Sequence, residues 1–120
     1  ALKVLSNKSF ENVFNKEAIT EVPISGNIVE DGKTYKVSGR IDRLLISKHE
    51  ITIVDLKTNK AVPKKMSQIP AAYKNQLAIY YRLVKQIYPD CKINCMLLWV
   101  EKPIMMPLSS LEMCSIKIFN

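Results

Sequence analysis

The chain has 120 residues, a length that suits one domain of ordinary size. Hydrophobic residues make up 48% and charged residues 24%, which supports a folded core and argues against intrinsic disorder. No apolar run approaches the roughly 20 residues of a membrane span, and the first residues lack the pattern of a signal peptide. The chain begins without Met, so we expect a fragment of a larger cytoplasmic protein.

The formal net charge of +7 favours an acidic partner, either nucleic acid or an anionic membrane. A basic but merely soluble surface fits this charge equally well.

Three cysteines, Cys91, Cys95 and Cys114, contain no C-x-x-C pair, and the chain has one His. A structural zinc site is therefore poorly supported, and reduced, mostly buried thiols are the better interpretation.

The first half of the chain predicts a mixed segment over residues 1–19 and then three consecutive strands. Pro23 in the first strand indicates an edge or a bulge, and the apolar third strand indicates burial on both faces. The predicted strands and the turns between them are Glu21–Val29, the turn Asp31-Gly32-Lys33, Thr34–Ser47, the turn Lys48-His49-Glu50, and Ile51–Lys57.

The second half predicts a polar loop over residues 58–69, a helix from Pro70, and a fourth strand Lys92–Glu101. Pro89 ends the helix, and Ile104–Asn120 is predicted to hold one more strand and a tail. The helix presents one apolar face, made of Tyr73, Leu77, Tyr80, Val84 and Ile87. Short turns favour an antiparallel meander of the first three strands, and the helix makes a crossover to the fourth, for which parallel pairing is allowed. The predicted fold class is therefore α/β, with a mixed sheet flanked by a helix.

Two aspartates stand inside predicted strands, where Asp is rare. Asp42 interrupts the second strand and Asp55 the third, and the turn near His49 places the two opposite each other, about 5 Å apart at Cβ. Lys57 shares a strand face with Asp55 because strand side chains alternate. The sequence therefore predicts two carboxylates and an ammonium group in one cluster.

Facing carboxylates repel unless a cation lies between them. Mg²⁺, with Mn²⁺ as a substitute, accepts two carboxylates, a backbone carbonyl and waters, and the carbonyl of Leu56 is the expected third donor. Lys57 would then orient the attacking water and stabilise negative charge on a phosphoryl transition state. The alternative is a structural salt-bridge cluster of these aspartates with Arg40, Arg43 or Lys57.

Three segments resemble the RecB-like branch of the PD-(D/E)XK nucleases, and most of all the C-terminal nuclease domain of AddA, as in alphaproteobacteria. They are Gly39-Arg40-Ile41-Asp42-Arg43-Leu44, Ile53-Val54-Asp55-Leu56-Lys57-Thr58-Asn59 and Tyr73-x-x-Gln76-Leu77-x-x-Tyr80. The resemblance covers residues 10–111 and implies a restriction-endonuclease-like fold over one domain, residues 1–120.

The resemblance implies a Mg²⁺-dependent DNA exonuclease domain of a helicase–nuclease that repairs double-strand breaks. Asp42 and Asp55 match the metal ligands, Lys57 the catalytic lysine, and Gln76 and Tyr80 the Q-x-x-x-Y motif on the flanking helix. The implied partners are DNA, an AddB-type subunit and the helicase part of the same chain. The sequence contains no P-loop, so no ATP site is expected here.

The sequence departs from the family pattern at one ligand. Related nucleases carry a metal-binding His upstream of the first strand, whereas the single histidine here, His49, lies in a predicted turn. A catalytically inactive nuclease fold, kept for DNA binding or subunit docking, is therefore the alternative function. Glu21 is a weaker acidic candidate for the metal. An iron–sulfur cluster is not expected, since no Cys precedes Cys91.

Lysines also cluster in the loop after the third strand. Lys60, Lys64 and Lys65 follow Lys57 closely. Such a rim would contact phosphates and position DNA without reading its sequence. A solvated loop is the alternative.

Overall fold

A mixed β-sheet with a long helix on one face makes up the fold in this computed structural model, which describes residues 3–4, 18–58, 61–102 and 104–119. Within these ranges the sheet has six strands in the order β1-β6-β5-β4-β3-β2, and only β4 and β5 are parallel neighbours. The strands are β1 (Lys3–Val4), β2 (Ile19–Glu30), β3 (Lys33–Ile46), β4 (Glu50–Lys57), β5 (Lys92–Trp99) and β6 (Ile104–Leu108).

Helix α1 (Ala71–Ile87) covers one face of the sheet, and helix α2 (Ser110–Ser115) packs beside it. Pro70 precedes α1, where its missing N–H costs no helical hydrogen bond. The buried face of α1 holds five residues, Leu77, Ala78, Tyr80, Leu83 and Val84. Ile87, predicted on this face, is exposed instead, because the helix ends there beyond the edge of the core. A 3₁₀ turn, Met66–Gln68, interrupts the predicted loop.

The predicted meander and crossover are confirmed. β2, β3 and β4 pair antiparallel through short turns, and α1 connects β4 to the parallel β5. β4 is buried on both faces: Ile51 and Ile53 lie in the main core under α1, and Val54 packs with Leu98 on the opposite face. β2 is an edge strand, as Pro23 indicated. The α/β prediction is therefore correct.

The C-terminal segment differs from the predicted strand and tail. After β6 the chain forms α2, which begins because the Ser109 hydroxyl accepts a hydrogen bond from the backbone N–H of Glu112. Beyond α2, buried Glu30 accepts hydrogen bonds from the N–H groups of Ile118 and Phe119, both at 2.8 Å, and these bonds lower its pKa. Nothing in the local sequence pattern marks Glu30 as this partner.

The three thiols are free, but only Cys95 is buried; burial raises its pKa to about 12. Cys114 is exposed, so the expectation of mostly buried thiols is wrong for that residue.

The predicted packing segment around Phe10 and Phe14 lies outside the described residues. Among the described residues, no helix is long and apolar enough to cross a membrane.

Strand β3 exchanges the faces of its side chains just before the predicted site. Ile41 and Leu44 both lie in the core under α1, although strict alternation would place residues three apart on opposite faces. Glu21 lies across from this point, between the pairs Thr20–Arg43 and Val22–Ile41, and its φ of 49° is left-handed. Such local distortions re-aim side chains, and here the side of β3 that carries Asp42 turns from solvent towards α1.

Gly39 is required by the close approach of α1. A Cβ at this position would lie 2.7 Å from the Tyr80 ring, and Tyr80 is only 4% exposed. We therefore expect Gly39→Ala to lower the free energy of unfolding by about 1–3 kcal/mol, as overpacking does, measured by chemical denaturation. Ser38→Ala, on the exposed face one residue earlier, should change it little. Equal stability of the two variants would contradict this packing.

Candidate active site

Asp42 and Asp55 lie at the end of the β3–β4 ladder. The last pairs of that ladder run from Ile46–Ile51 to Arg43–Val54, so Asp42 and Asp55 are the next residues opposite each other. The register predicted from the turn at His49 is thus confirmed. The two carboxyl groups are close enough to share a hydrogen bond.

The side chain of Asp42 replaces a backbone partner for β4. Its Oδ2 accepts a hydrogen bond from the backbone N–H of Leu56 at 2.8 Å. The N–H and C=O of one strand residue leave the strand on the same side, so the carbonyl of Leu56 also faces Asp42. This orientation suits the role predicted for that carbonyl.

Asp55 is almost fully enclosed. It is 6% exposed, and its Oδ2 is buried without a hydrogen bond of good geometry among the described residues, although Lys57 Nζ lies 2.8 Å away. Burial raises the pKa of Asp55 to about 6; the Lys57 ammonium lowers it in part, and the Asp42 carboxyl raises it further. Two adjacent carboxylates that share a single ammonium group are a suitable pair of ligands for a hard cation.

Lys57 is held between the carboxylate and an aromatic ring. Its Nζ lies 3.9 Å from the centroid of Tyr73, in the first turn of α1, and its side chain is 14% exposed. The ring face attracts the ammonium group and restricts its movement. The charge therefore stays beside Asp55 rather than extending into solvent.

Gln76 and Tyr80 connect α1 to β3, two residues before Asp42. The Tyr80 hydroxyl donates to the carbonyl of Arg40 at 3.0 Å and accepts from the N–H of Arg40 at 3.3 Å. Gln76 Nε2 donates to the same hydroxyl at 3.2 Å. Tyr80 thus contacts the backbone that carries Asp42, and Gln76 acts on it through the Tyr80 hydroxyl. Their geometry is that of positioning residues.

The remaining candidates are not brought to the carboxylates. Within the described residues, no group of three or more Asp, Glu, His or Cys side chains surrounds a common point, so Glu21 does not join Asp42 and Asp55. Glu21 is exposed on β2, and His49 is exposed in the β3–β4 turn. The exposed Lys64 and Lys65 lie just before the 3₁₀ turn, where their backbone N–H groups donate to Gln68. Lys60 lies outside the described residues.

The donor set fits a small divalent cation. Two carboxylates and one carbonyl offer oxygen ligands only, which Mg²⁺ prefers, and this ion commonly keeps several waters. Asp42, Asp55 and the Leu56 carbonyl would hold the ion. Bound there, it would polarise a phosphoryl oxygen and activate water.

The raised pKa of Asp55 predicts how the metal-free protein responds to pH. Its folded-state pKa of about 6 exceeds the ordinary 3.8, so its protonated form favours folding. That stabilisation is complete below about pH 4 and is lost as the pH rises through 6. The free energy of unfolding then falls by at most about 3 kcal/mol. In EDTA, Asp55→Asn should remove this loss and be the more stable protein at pH 8. The exposed Asp90→Asn should keep it, and a wild-type unfolding curve without this slope would contradict the burial of Asp55.

Mg²⁺ should restore the stability that the folded protein loses when Asp55 ionises. At pH 8 we expect MgCl₂ to raise the melting temperature of the wild type, because a ligand of the folded state stabilises it by about 2.7 kcal/mol at a hundred times its Kd. Asp42→Asn and Asp55→Asn should abolish the shift, whereas NaCl of equal ionic strength should not reproduce it. An equal shift in wild type and both variants would place the metal elsewhere.

The comparisons with known proteins agree with this geometry. The crystal structure of SSO0001 is similar over 88% of this chain, with 22% identity and a TM-score of 0.51, a likeness of fold; the chain spans 50% of that structure. No curated protein matches the sequence. The family PD-(D/E)XK nuclease superfamily matches residues 3–104, which include β1 to β5 in full and the first residue of β6. The chain therefore belongs to the PD-(D/E)XK nuclease superfamily, whose members are typically metal-dependent nucleases.

Proposed function

We propose that this domain hydrolyses phosphodiester bonds of DNA with the help of Mg²⁺. The observation that supports this most is the pairing of Asp42 with Asp55, which is only 6% exposed and has Lys57 Nζ 2.8 Å from its Oδ2. A structural salt bridge would need neither the second carboxylate nor the burial of both charges. A cation between the carboxylates gives this arrangement a favourable role.

The residues of the chain then have distinct tasks in hydrolysis. Lys57 presents a fixed positive charge, held by the Tyr73 ring, to the non-bridging oxygens of the reacting phosphate, where negative charge develops. Asp42 and Asp55 provide the oxygen ligands. Gln76 and Tyr80 fix the β3 backbone, and so the position of Asp42. Even small displacements of such groups slow the reaction strongly.

The finer assignment is an exonuclease domain of a helicase–nuclease for double-strand-break repair, of the AddA type. It is supported by the likeness of the three motif segments, and it carries an AddB-type subunit and a helicase region as partners. Residues 1–120 would then be its nuclease domain, acting in the cytoplasm. Lys60, Lys64 and Lys65 would contact phosphates at the rim.

A second candidate is an inactive nuclease fold that binds DNA or docks a subunit. It is favoured by the small donor set, since only two carboxylates meet within the described residues. The two candidates share a DNA-binding surface and differ in chemistry alone.

Cleavage of labelled single-stranded DNA in MgCl₂ separates the candidates. We expect the wild type to cleave, and Asp42→Asn, Asp55→Asn and Lys57→Ala each to lose at least about a hundredfold in rate, since each removes a group acting on the transition state. His49→Ala, in the exposed turn, is the matched control and should retain the wild-type rate. DNA binding by the wild type with no cleavage would establish the second candidate. Cleavage that persists in both Asp variants would exclude this site.

A further inference from the structure

β2 is an edge strand, and every second residue of it directs its backbone groups away from β3. The turn of two residues between β2 and β3 makes Glu30 and Lys33 a hydrogen-bonded pair. Along an antiparallel ladder such pairs alternate with pairs whose N–H and carbonyl groups point outward. Val29, Asn27 and Ser25 therefore present these groups on the free edge of the sheet.

Gln86 of α1 marks the position that an added strand would take. Its Nε2 donates to the carbonyl of Asn27 at 2.9 Å, as the N–H of a neighbouring strand does in a sheet. Within the part of the chain that the structure describes, the outward N–H and carbonyl groups of Ser25 and Val29 have no hydrogen-bond partner. These groups are therefore available to the backbone of another segment.

A groove of about 580 Å³ opens beside this edge, and we call it the edge groove. Its lining includes Asn27, Ile28 and Val29 of β2, together with Tyr81 of α1 and Cys114 of α2. The isoleucine, the tyrosine ring and the thiol offer apolar surface to a side chain. A free sheet edge beside a side-chain pocket is the arrangement that binds an extended peptide as an additional strand.

The charge of the edge groove selects an acidic ligand. Lys85 lines the groove and donates to the carbonyl of Cys91 at 2.8 Å, and it makes no ion pair with any described residue. Arg82, the other cation of the lining, is already paired with Glu30. No acidic residue of the described ranges lines the groove. A carboxylate beside the apolar side chain would therefore meet an unpaired ammonium group.

The length of the free edge favours a short peptide over a second copy of the chain. Pro23, the next outward-facing residue, has no N–H to donate, and the left-handed φ of Glu21 distorts the strand beyond it. The turn at Asp31 ends the strand on the other side. Only residues 25–29 can pair fully, which matches an extended segment of about five residues and not the whole of a second β2.

We infer that the edge groove binds an extended peptide segment of a partner protein, which adds as a strand to β2. An apolar side chain of the segment packs against Tyr81, and an acidic side chain two positions away faces Lys85. This site lies outside the proposed nuclease function, since it involves neither a metal nor Asp42 or Asp55.

Backbone methylation of a peptide tests strand addition without altering the protein. The probe is the fluorescein-labelled, amidated hexapeptide Thr-Val-Thr-Asp-Thr-Val, whose Val and Asp side chains share one face when extended. We expect saturable binding to the full chain in EDTA, followed by anisotropy. Two versions carry N-methyl groups, either on the three Thr or on the other three residues. One of them should bind at least about tenfold more weakly, because its hydrogen bonds to β2 are lost, and the other should bind as the parent does.

Variants of the protein test the edge and the charge separately. Val29→Pro removes an outward N–H without removing a hydrogen bond to β3, so the parent peptide should bind several-fold more weakly, whereas Val29→Thr should bind as the wild type does. The wild type should prefer the Asp peptide to its Asn version by up to about fivefold, and Lys85→Gln should lose this preference. Asp55→Asn should bind like the wild type. Melting temperatures establish that each variant is folded.

The outcomes separate this inference from the proposed function. Equal binding of the parent and both methylated peptides would exclude strand addition, and the absence of saturable binding at about 1 mM peptide would exclude the site. A dimer of the wild type that Val29→Pro dissociates would make a second copy the occupant and overturn the assignment of a partner peptide. If the peptides bind as expected while the wild type cleaves no DNA in MgCl₂, the edge groove stands and the nuclease proposal fails.

Discussion

The site depends on one constraint, the placement of two carboxylates side by side where β3 and β4 stop pairing. Asp42 takes up the N–H of Leu56, which would otherwise lack a partner on that side, and so holds its own carboxylate beside Asp55. Asp55 is buried there at a cost, because burial and a like charge both oppose its ionisation. A fold retains such a cost where the groups have a task, and a divalent cation is the partner that we propose for them.

The surrounding structure serves this placement. α1 lies against β3 through Tyr80, whose hydroxyl occupies both polar groups of the Arg40 backbone, and the absence of a side chain at Gly39 lets the ring approach. The same helix contributes Tyr73, whose ring limits the movement of Lys57. One helix thus positions both the strand that carries a carboxylate and the cation beside the other.

Much of this arrangement could be predicted from the sequence because it is local. The short turn at His49 determines which residues of β3 and β4 face each other, and alternation adds Lys57. Contacts between segments far apart in the sequence could not be predicted in this way. The hydrogen bonds that Glu30 accepts from the C-terminal segment join residues 88 and 89 positions apart, and no periodicity of the sequence predicts them. The left-handed φ of Glu21 could not be predicted from the sequence either, since Glu has no preference for that conformation.

The central claim is that Asp42 and Asp55 converge on one cation, and a crystal structure of the protein soaked with Mn²⁺ tests it most directly. The account predicts anomalous density between the two carboxylates, within bonding distance of both and of the Leu56 carbonyl. Carboxylates that point apart, or that are each occupied by an arginine with no density between them, would contradict it.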